Sequence, residues 1–284
     1  MTAHSPSSCH PLTGLRVVTL AANLPGPLAA SRLQQMGAAV TKIEAPAGDP
    51  FLRYSAEWYA EMRRGQTVLT LNLKSPDDRA QLDALLTDAD LLITSNRPAA
   101  LARLNLDWPT LHATYPRLCQ VAILGHNPPD ENRPGHDLTY QSDSGLLTPP
   151  HMPRTLLADL AGAERTVSLA LSLLLCAQRG HEGQYAEIAL AEAVHHFAAP
   201  LRYGLTAPGG FLGGGFSGYN LYRTADGWIT LAALEPHFWE RCRTELNLEA
   251  EAEYEAFAEI FAKQSTAHWV AWAEKHDVPM APLG

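Results

Sequence analysis

Short apolar runs alternate with amphipathic stretches through roughly the first two thirds of the chain. These runs have the length and β-branched content of buried strands, and they cover residues 16–20, 40–44, 68–73, 91–94, 118–123 and 185–190. Helical spacing follows the first and third runs, at residues 28–36 and 76–86. Strand, helix and strand within about 30 residues predict βαβ units with right-handed crossovers. The pattern therefore predicts an α/β domain with a mostly parallel, Rossmann-like sheet.

A different pattern follows a glycine-rich stretch at residues 206–218. Two short strands, 220–223 and 228–231, flank Ala225-Asp226-Gly227, which is typical of a β-hairpin. Helical stretches near residues 236–246, 251–263 and 266–276 come next, and residues 279–284 read as an extended tail. We therefore predict a large α/β domain over residues 1–205, then a Gly-rich linker and a small α+β domain over 206–284. The glycine-rich stretch is either a flexible linker or a mobile lid.

Composition and charge exclude several classes of protein. Hydrophobic residues make up 46% of the 284 residues, and charged residues make up 18%, which suits a globular core. A formal net charge of −9 would repel a polyanion, so we expect no nucleic acid partner. Residues 1–9 lack the apolar core of a secretion signal. The apolar run at 167–177 is shorter than the ~20 residues that span a bilayer, so it predicts a buried helix and no membrane partner.

The four cysteines are widely spaced and form no CxxC pair. Neither a disulfide framework nor a zinc site is indicated, and we expect no metal. Reduced thiols are typical of a cytoplasmic protein. The chain also lacks the GxGxxG, Gly-Lys-Ser/Thr, HExxH and GxSxG motifs of nucleotide, phosphate, zinc-protease and hydrolase sites.

The candidate chemistry lies in a loop-like run at residues 135–140 and at the start of the next long helix. His136 can transfer protons near neutral pH, and Asp159 would be stabilised by free N–H groups in a helix's first turn, which could also hold an oxyanion. The alternative is that Asp159 only caps a helix and His136 is an ordinary loop residue. Glu235 likewise precedes a helix. Ligands of parallel sheets bind beyond the strands' carboxyl ends, where Lys74, Arg97 and nearby Arg103 could meet an anionic tail.

An ordered set of motifs extends over nearly the whole chain. These motifs are PLTGLRVV at 11–18, PGP at 25–27, KIE at 42–44 with GD at 48–49, LNLKSP at 71–76, RP at 97–98, GHD at 135–137, LADLAG at 157–162, GQ at 183–184, YRTADG at 222–227 and HDVP at 276–279. Together they resemble the family III CoA-transferases, the CaiB/BaiF family. The GHDxxY run and the LEPHF run at 234–238 resemble the family's α-methylacyl-CoA racemase branch.

The resemblance implies an enzyme that epimerises 2-methyl-branched acyl-CoA thioesters by 1,1-proton transfer through an enolate. His136 and Asp159 would be the acid/base pair, and Glu235 would support the imidazole. Coenzyme A, as part of the substrate and with no other cofactor, would contact ten residues. They are Leu71, Leu73, Lys74, Ser95, Asn96, Arg97, Arg103, Gly135, Asp137 and Tyr140. The implied assembly is a homodimer, either intertwined or less interlocked.

Other functions of the same family remain open. In its transferases, the carboxylate matching Asp159 is a nucleophile that carries CoA as a thioester. The chain departs from the family pattern at Ala45, where an arginine often contacts the nucleotide, and at Ala99, where the family often has glycine. Relatives continue beyond the segment that matches residues 276–282. The resemblance thus also allows a shortened, inactive CoA-binding relative.

Overall fold

The computed structural model describes residues 10–249 and 252–283. The chain forms two compact units that divide between Phe197 and Ala198, whereas the sequence places the division after residue 205. The Gly-rich stretch belongs to the second unit, and the predicted boundaries also place it there.

The first unit is built on six parallel strands in the order β3-β2-β1-β4-β5-β6. The strands are β1 (Arg16–Thr19), β2 (Ala39–Glu44), β3 (Thr67–Thr70), β4 (Leu91–Thr94), β5 (Cys119–Leu124) and β6 (Tyr185–Ala189). Each lies on a run that the sequence predicts, and the predicted parallel α/β class is confirmed. The third strand ends at Thr70, earlier than predicted, because the Ser75 N–H closes a turn onto the Asn72 carbonyl.

Helices cover both faces of this sheet. They are α1 (Pro25–Gln35), α2 (Ala56–Met62), α3 (Pro76–Thr87), α4 (Pro98–Arg103), α5 (Trp108–Thr114), α6 (Asp137–Asp143), α7 (Leu157–Gln178) and α8 (Leu190–Phe197). One core joins α1, α7 and α8 to the sheet, and a second lies under α3, α4 and α5. The carboxyl ends of the strands thus face loops that these helices hold in place.

The longest helix, α7, runs through the first core. Its 22 residues make it long and apolar enough, by length and composition, to cross a membrane. The helix extends beyond the apolar run at 167–177 at both ends, so the length of that run alone does not decide between a core helix and a membrane span. The helix packs against α1, α8 and β5, and Ala158, Ala163 and Ala170 are fully buried there. Small side chains at this spacing let α7 approach its neighbours closely, as in a core helix.

The second unit contains a three-stranded antiparallel sheet beside three helices. Its strands are β7 (Tyr219–Arg223), β8 (Trp228–Ala232) and β9 (Met280–Pro282). The short helix α9 (Ala199–Arg202) comes first in this unit. The three helices that pack beside the sheet are α10 (Pro236–Glu245), α11 (Tyr254–Phe261) and α12 (Thr266–His276). Tyr222, Phe257, Phe261 and Trp269 form an aromatic core. Within the predicted extended tail, residues 280–282 form a strand that pairs with β8, which the sequence did not predict.

The glycine-rich stretch folds into a compact turn at Phe211–Gly215. A Cβ added at Gly213 would lie 1.9 Å from the Ala207 carbonyl oxygen, so close backbone contact requires glycine there. Phe211 stacks on Phe216 at 4.8 Å, and Phe216 contacts Trp239. Close packing, and not only chain flexibility, accounts for this composition.

Candidate active site

A cavity of about 370 Å³ opens at the carboxyl edge of the parallel sheet. It lies where the loops after β1, β4 and β5 approach the starts of α6 and α7. Its lining includes Asn23, Ser95, Arg97, Gly125, Glu131, Arg133, Gly135, His136, Tyr140 and Asp159. The structure thus brings His136 and Asp159 to one cavity, at the edge where parallel sheets bind ligands.

Asp159 is the third residue of α7 and not its cap. Leu156 occupies the N-cap position and supplies no side-chain hydrogen bond. The cap comes from outside, because the Asp159 N–H donates to Asp137 Oδ1 at 3.0 Å. This bond occupies one of the N–H groups that the sequence suggested for an oxyanion.

Burial, followed by the negative charge of Asp137, raises the pKa of the Asp159 carboxyl to about 7. Each effect penalises the carboxylate, the first by desolvation and the second by repulsion. Near neutral pH the protonated and ionised forms are then both populated. A carboxyl group in this state can donate and accept a proton, which suits general acid–base chemistry.

His136 begins a helix, so the run at 135–140 is not the loop that the sequence indicates. It occupies the N-cap position of α6, and its carbonyl accepts the Thr139 N–H at 2.8 Å. The Thr139 hydroxyl accepts the His136 N–H at 3.1 Å. The histidine backbone is thereby fixed, while its side chain is exposed at the cavity.

Tyr140 is buried and closes one side of the cavity beside two glycines. A Cβ at Gly125 would lie 2.6 Å from Tyr140 Oη, and one at Gly135 would lie 2.5 Å from Cε1. Both glycines are therefore required by the phenol ring. Burial raises the Tyr140 pKa, as does the nearby charge of Asp159, so the phenol stays protonated and can donate a hydrogen bond.

A buried ion pair supports the loop after β1. Lys42 Nζ donates to Asp49 Oδ2 at 2.8 Å and to the Ala21 carbonyl at 2.9 Å, and both side chains are almost fully buried. Asp49 Oδ1 accepts the Asn23 N–H at 3.1 Å, and the Ala22 N–H donates to Ser95 Oγ. The pair is not evident from sequence alone, where the one signal of it is a lysine within a predicted strand.

A second, more apolar cavity of about 210 Å³ lies along the same edge. Four predicted CoA residues line it, namely Leu71, Leu73, Lys74 and Asn96. Asn96 faces this cavity while its neighbours Ser95 and Arg97 line the first one. The two cavities therefore meet along one short segment after β4.

Three predicted residues line neither cavity. Arg103 is exposed at the end of α4 and borders neither cavity. Asp137 is buried, with its carboxylate bonded to the Asp159 N–H and to Gln141. Glu235 belongs to the second unit, where its carbonyl accepts the Phe238 and Trp239 N–H groups at the start of α10. Its carboxylate makes no capping bond to that helix.

Within residues 10–249 and 252–283, no group of three or more His, Cys, Asp or Glu side chains could hold a metal ion. A carboxyl group, an imidazole and a phenol line the cavity, from Asp159, His136 and Tyr140.

Comparison with known proteins places this site in context. The family model for CoA-transferase family III matches residues 12–284. The chain belongs to this family. Its members include CoA-transferases and a racemase, so the family is enzymatic.

Relatives of both kinds resemble this family III protein equally. It is 29% identical to the succinate–glutarate CoA-transferase of Agrobacterium fabrum, over 89% of this chain and 70% of that protein. It is also 29% identical to the human alpha-methylacyl-CoA racemase, over 96% of this chain and 77% of that protein. The crystal structure of Rv3272 from Mycobacterium tuberculosis superposes with a TM-score of 0.82 at 25% identity, covering 95% of this chain and 83% of that one.

Proposed function

We propose that this family III protein is an acyl-CoA racemase that epimerises 2-methyl-branched acyl-CoA thioesters through an enolate. The observation that carries the proposal is that His136 and Asp159 border one cavity, with the pKa of Asp159 at about 7. Racemisation needs two groups that exchange a proton with one carbon, and each must act as acid in one direction and base in the other.

In the proposed reaction, one base removes the α-proton and the C–H electron pair enters the thioester as an enolate. The second group, protonated at the start, returns a proton to the opposite face. For one epimer His136 is the base and Asp159 the acid, and for the other epimer the roles reverse. One proton leaves and one arrives, so the thioester is unchanged except in configuration.

Coenzyme A would lie along the carboxyl edge of the sheet. The apolar cavity beside Leu71 and Leu73 suits the nucleotide base, and Lys74 provides a positive charge for its phosphates. Arg97 and Ser95, which line the first cavity, would follow the chain toward the thioester. Tyr140, with its raised pKa, would donate a hydrogen bond to the developing oxyanion.

The proposal also includes a cytoplasmic homodimer.

A CoA-transferase is the second candidate. The equal similarity to the succinate–glutarate enzyme favours it, as does the accessible carboxyl of Asp159 at the cavity. In that reaction the carboxylate attacks the thioester carbonyl and displaces CoA as its thiolate, which leaves a mixed anhydride. The thiolate then attacks the aspartyl carbonyl, releases the donor carboxylate and forms an aspartyl-CoA thioester. A carboxyl with a pKa near 7 is less ionised at neutral pH than a normal aspartate, which disfavours this role.

Proton exchange in D₂O tests the proposal. The protein is incubated with (R)- and (S)-2-methylacyl-CoA, and mass spectrometry follows deuterium at the α-carbon. We expect both epimers to gain one deuterium and to interconvert. The transferase would be supported by two results together. The folded protein would exchange neither epimer, and hydroxylamine, added after incubation with acyl-CoA, would convert Asp159 to a hydroxamate.

A further inference from the structure

Asp137 is a buried carboxylate at the first position of α6, 4% exposed. The sequence suggested that it contacts CoA. Its two oxygens face the protein interior instead, where Oδ1 accepts the Asp159 N–H at 3.0 Å and Oδ2 accepts from Gln141 Nε2. It is also absent from the lining of either cavity at this sheet edge.

The bonds of Asp137 join the starts of two helices. Helix α7 has no side-chain cap of its own, so the bond from its third N–H to Asp137 supplies one. Gln141 Nε2 also donates to the Thr155 carbonyl at 3.0 Å, just before α7. Both bonds fix the first turn of α7 against α6, and α6 begins directly after His136.

We propose that Asp137 is a positioning residue, which holds the Asp159 carboxyl at a fixed place relative to His136 and does not contact CoA. The catalytic role of Asp137 rests on the proposed proton transfer, whereas its structural role at the junction of α6 and α7 does not. A small displacement of a reacting group can reduce a rate by about 100-fold, so the junction should matter for turnover more than for binding.

The charge of Asp137 also acts on Asp159. Burial is the larger cause of the raised Asp159 pKa, and Asp137 is the second. The other charged or titratable groups around the cavity are Arg97, Glu131, Arg133, His136 and Tyr140. Arg133 lies 3.4 Å from Asp143. Removal of the Asp137 charge should therefore lower the Asp159 pKa, but burial should keep it above the ordinary 3.8.

The test uses Asp137→Asn and Asp137→Ala in the full chain. Asparagine keeps an oxygen for the Asp159 N–H but loses the charge, and its amide nitrogen cannot accept the hydrogen bond from Gln141. Alanine removes the accepting oxygen, the charge and the bond from Gln141. The matched control is Asp88→Asn, which removes an exposed carboxylate that pairs with Arg16. Carbon-13 NMR of the aspartate carboxyls, assigned with Asp159→Asn, measures the Asp159 titration in the unliganded protein.

We expect the Asp159 titration to move to lower pH in Asp137→Asn and to stay unchanged in Asp88→Asn. For 2-methylacyl-CoA, kcat should fall by about tenfold or more in both Asp137 variants, while KM changes by less than about threefold. If Asp137→Ala does not fold, the asparagine variant decides. An unchanged titration together with a KM raised tenfold would overturn the proposal and make Asp137 a CoA contact. Wild-type protein without turnover would refute the racemase, while the NMR shift would still decide the link between the helices.

Discussion

Exchange of Asp159 for asparagine should raise the free energy of unfolding at pH 8 but leave it nearly unchanged at pH 4. The carboxyl is half-buried beside the negative charge of Asp137, and its pKa is about 7 in the folded chain. In an unfolded chain the same group titrates near 3.8. Between these values the folded state binds a proton that the unfolded state has released. Wild-type stability therefore falls as the pH rises from about 4 to about 7.

The magnitude follows from the size of the shift. A difference of roughly three pKa units, at about 1.4 kcal/mol each, gives an upper limit of about 4 kcal/mol. Asp159 is partly exposed, and screening by solvent lowers this to about 2–4 kcal/mol. Asparagine has a similar shape and does not ionise, so it avoids the cost. We expect Asp159→Asn to exceed wild type by that amount at pH 8, and to match it closely at pH 4.

Urea unfolding followed by circular dichroism measures the free energy of unfolding at both pH values. Asp88→Asn serves as the control, since its side chain is 67% exposed in the wild type and lies in an ion pair with Arg16. The reasoning would be refuted if Asp159→Asn changed stability equally at pH 4 and pH 8. A destabilised variant at pH 8 would show that the ionised carboxylate makes favourable contacts in the fold.

Two further predictions concern the supports of the cavity. Lys42→Met should destabilise the protein by about 3–5 kcal/mol, because it leaves the buried Asp49 carboxylate without its partner. In urea unfolding, the double variant with Asp49→Asn should recover part of this loss. A Lys42→Met variant as stable as wild type would contradict the buried pair. Gly135→Ala should cost about 1–3 kcal/mol, since its Cβ would lie 2.5 Å from the Tyr140 ring. Thermal unfolding of Gly135→Ala with and without Tyr140→Leu checks this, because the smaller side chain should remove most of the cost.

Apolar runs made the parallel sheet predictable, since strands buried on both faces read as continuous hydrophobic segments. Helix α6 was not predictable in the same way. Residues 137–143 are mostly polar and lack helical apolar spacing, and the helix depends on a buried carboxylate at Asp137 and on the ring of Tyr140. Strand β9 was also missed, because Met280–Pro282 includes a proline and pairs with a strand that lies about 50 residues earlier in the chain.

The site could be predicted in part from local sequence. A histidine after Gly135 and an acid in the first turn of a long helix marked the residues that border the cavity. Local sequence could not show that Lys42 is buried, because its burial depends on Asp49 and on the Ala21 carbonyl. The resemblance to the family also implied a ligand role for Asp137, whose carboxylate is directed at the backbone of another helix.

The proton-transfer account is tested most directly by exchange in D₂O with single-residue variants. The account predicts that Asp159→Asn still removes the α-proton from the epimer that faces His136, and loses exchange from the other epimer. His136→Gln should show the opposite preference, and neither variant should interconvert the epimers at the wild-type rate. Equal loss of exchange from both epimers in both variants, or full exchange in either, would contradict a pair of bases acting on opposite faces of the substrate.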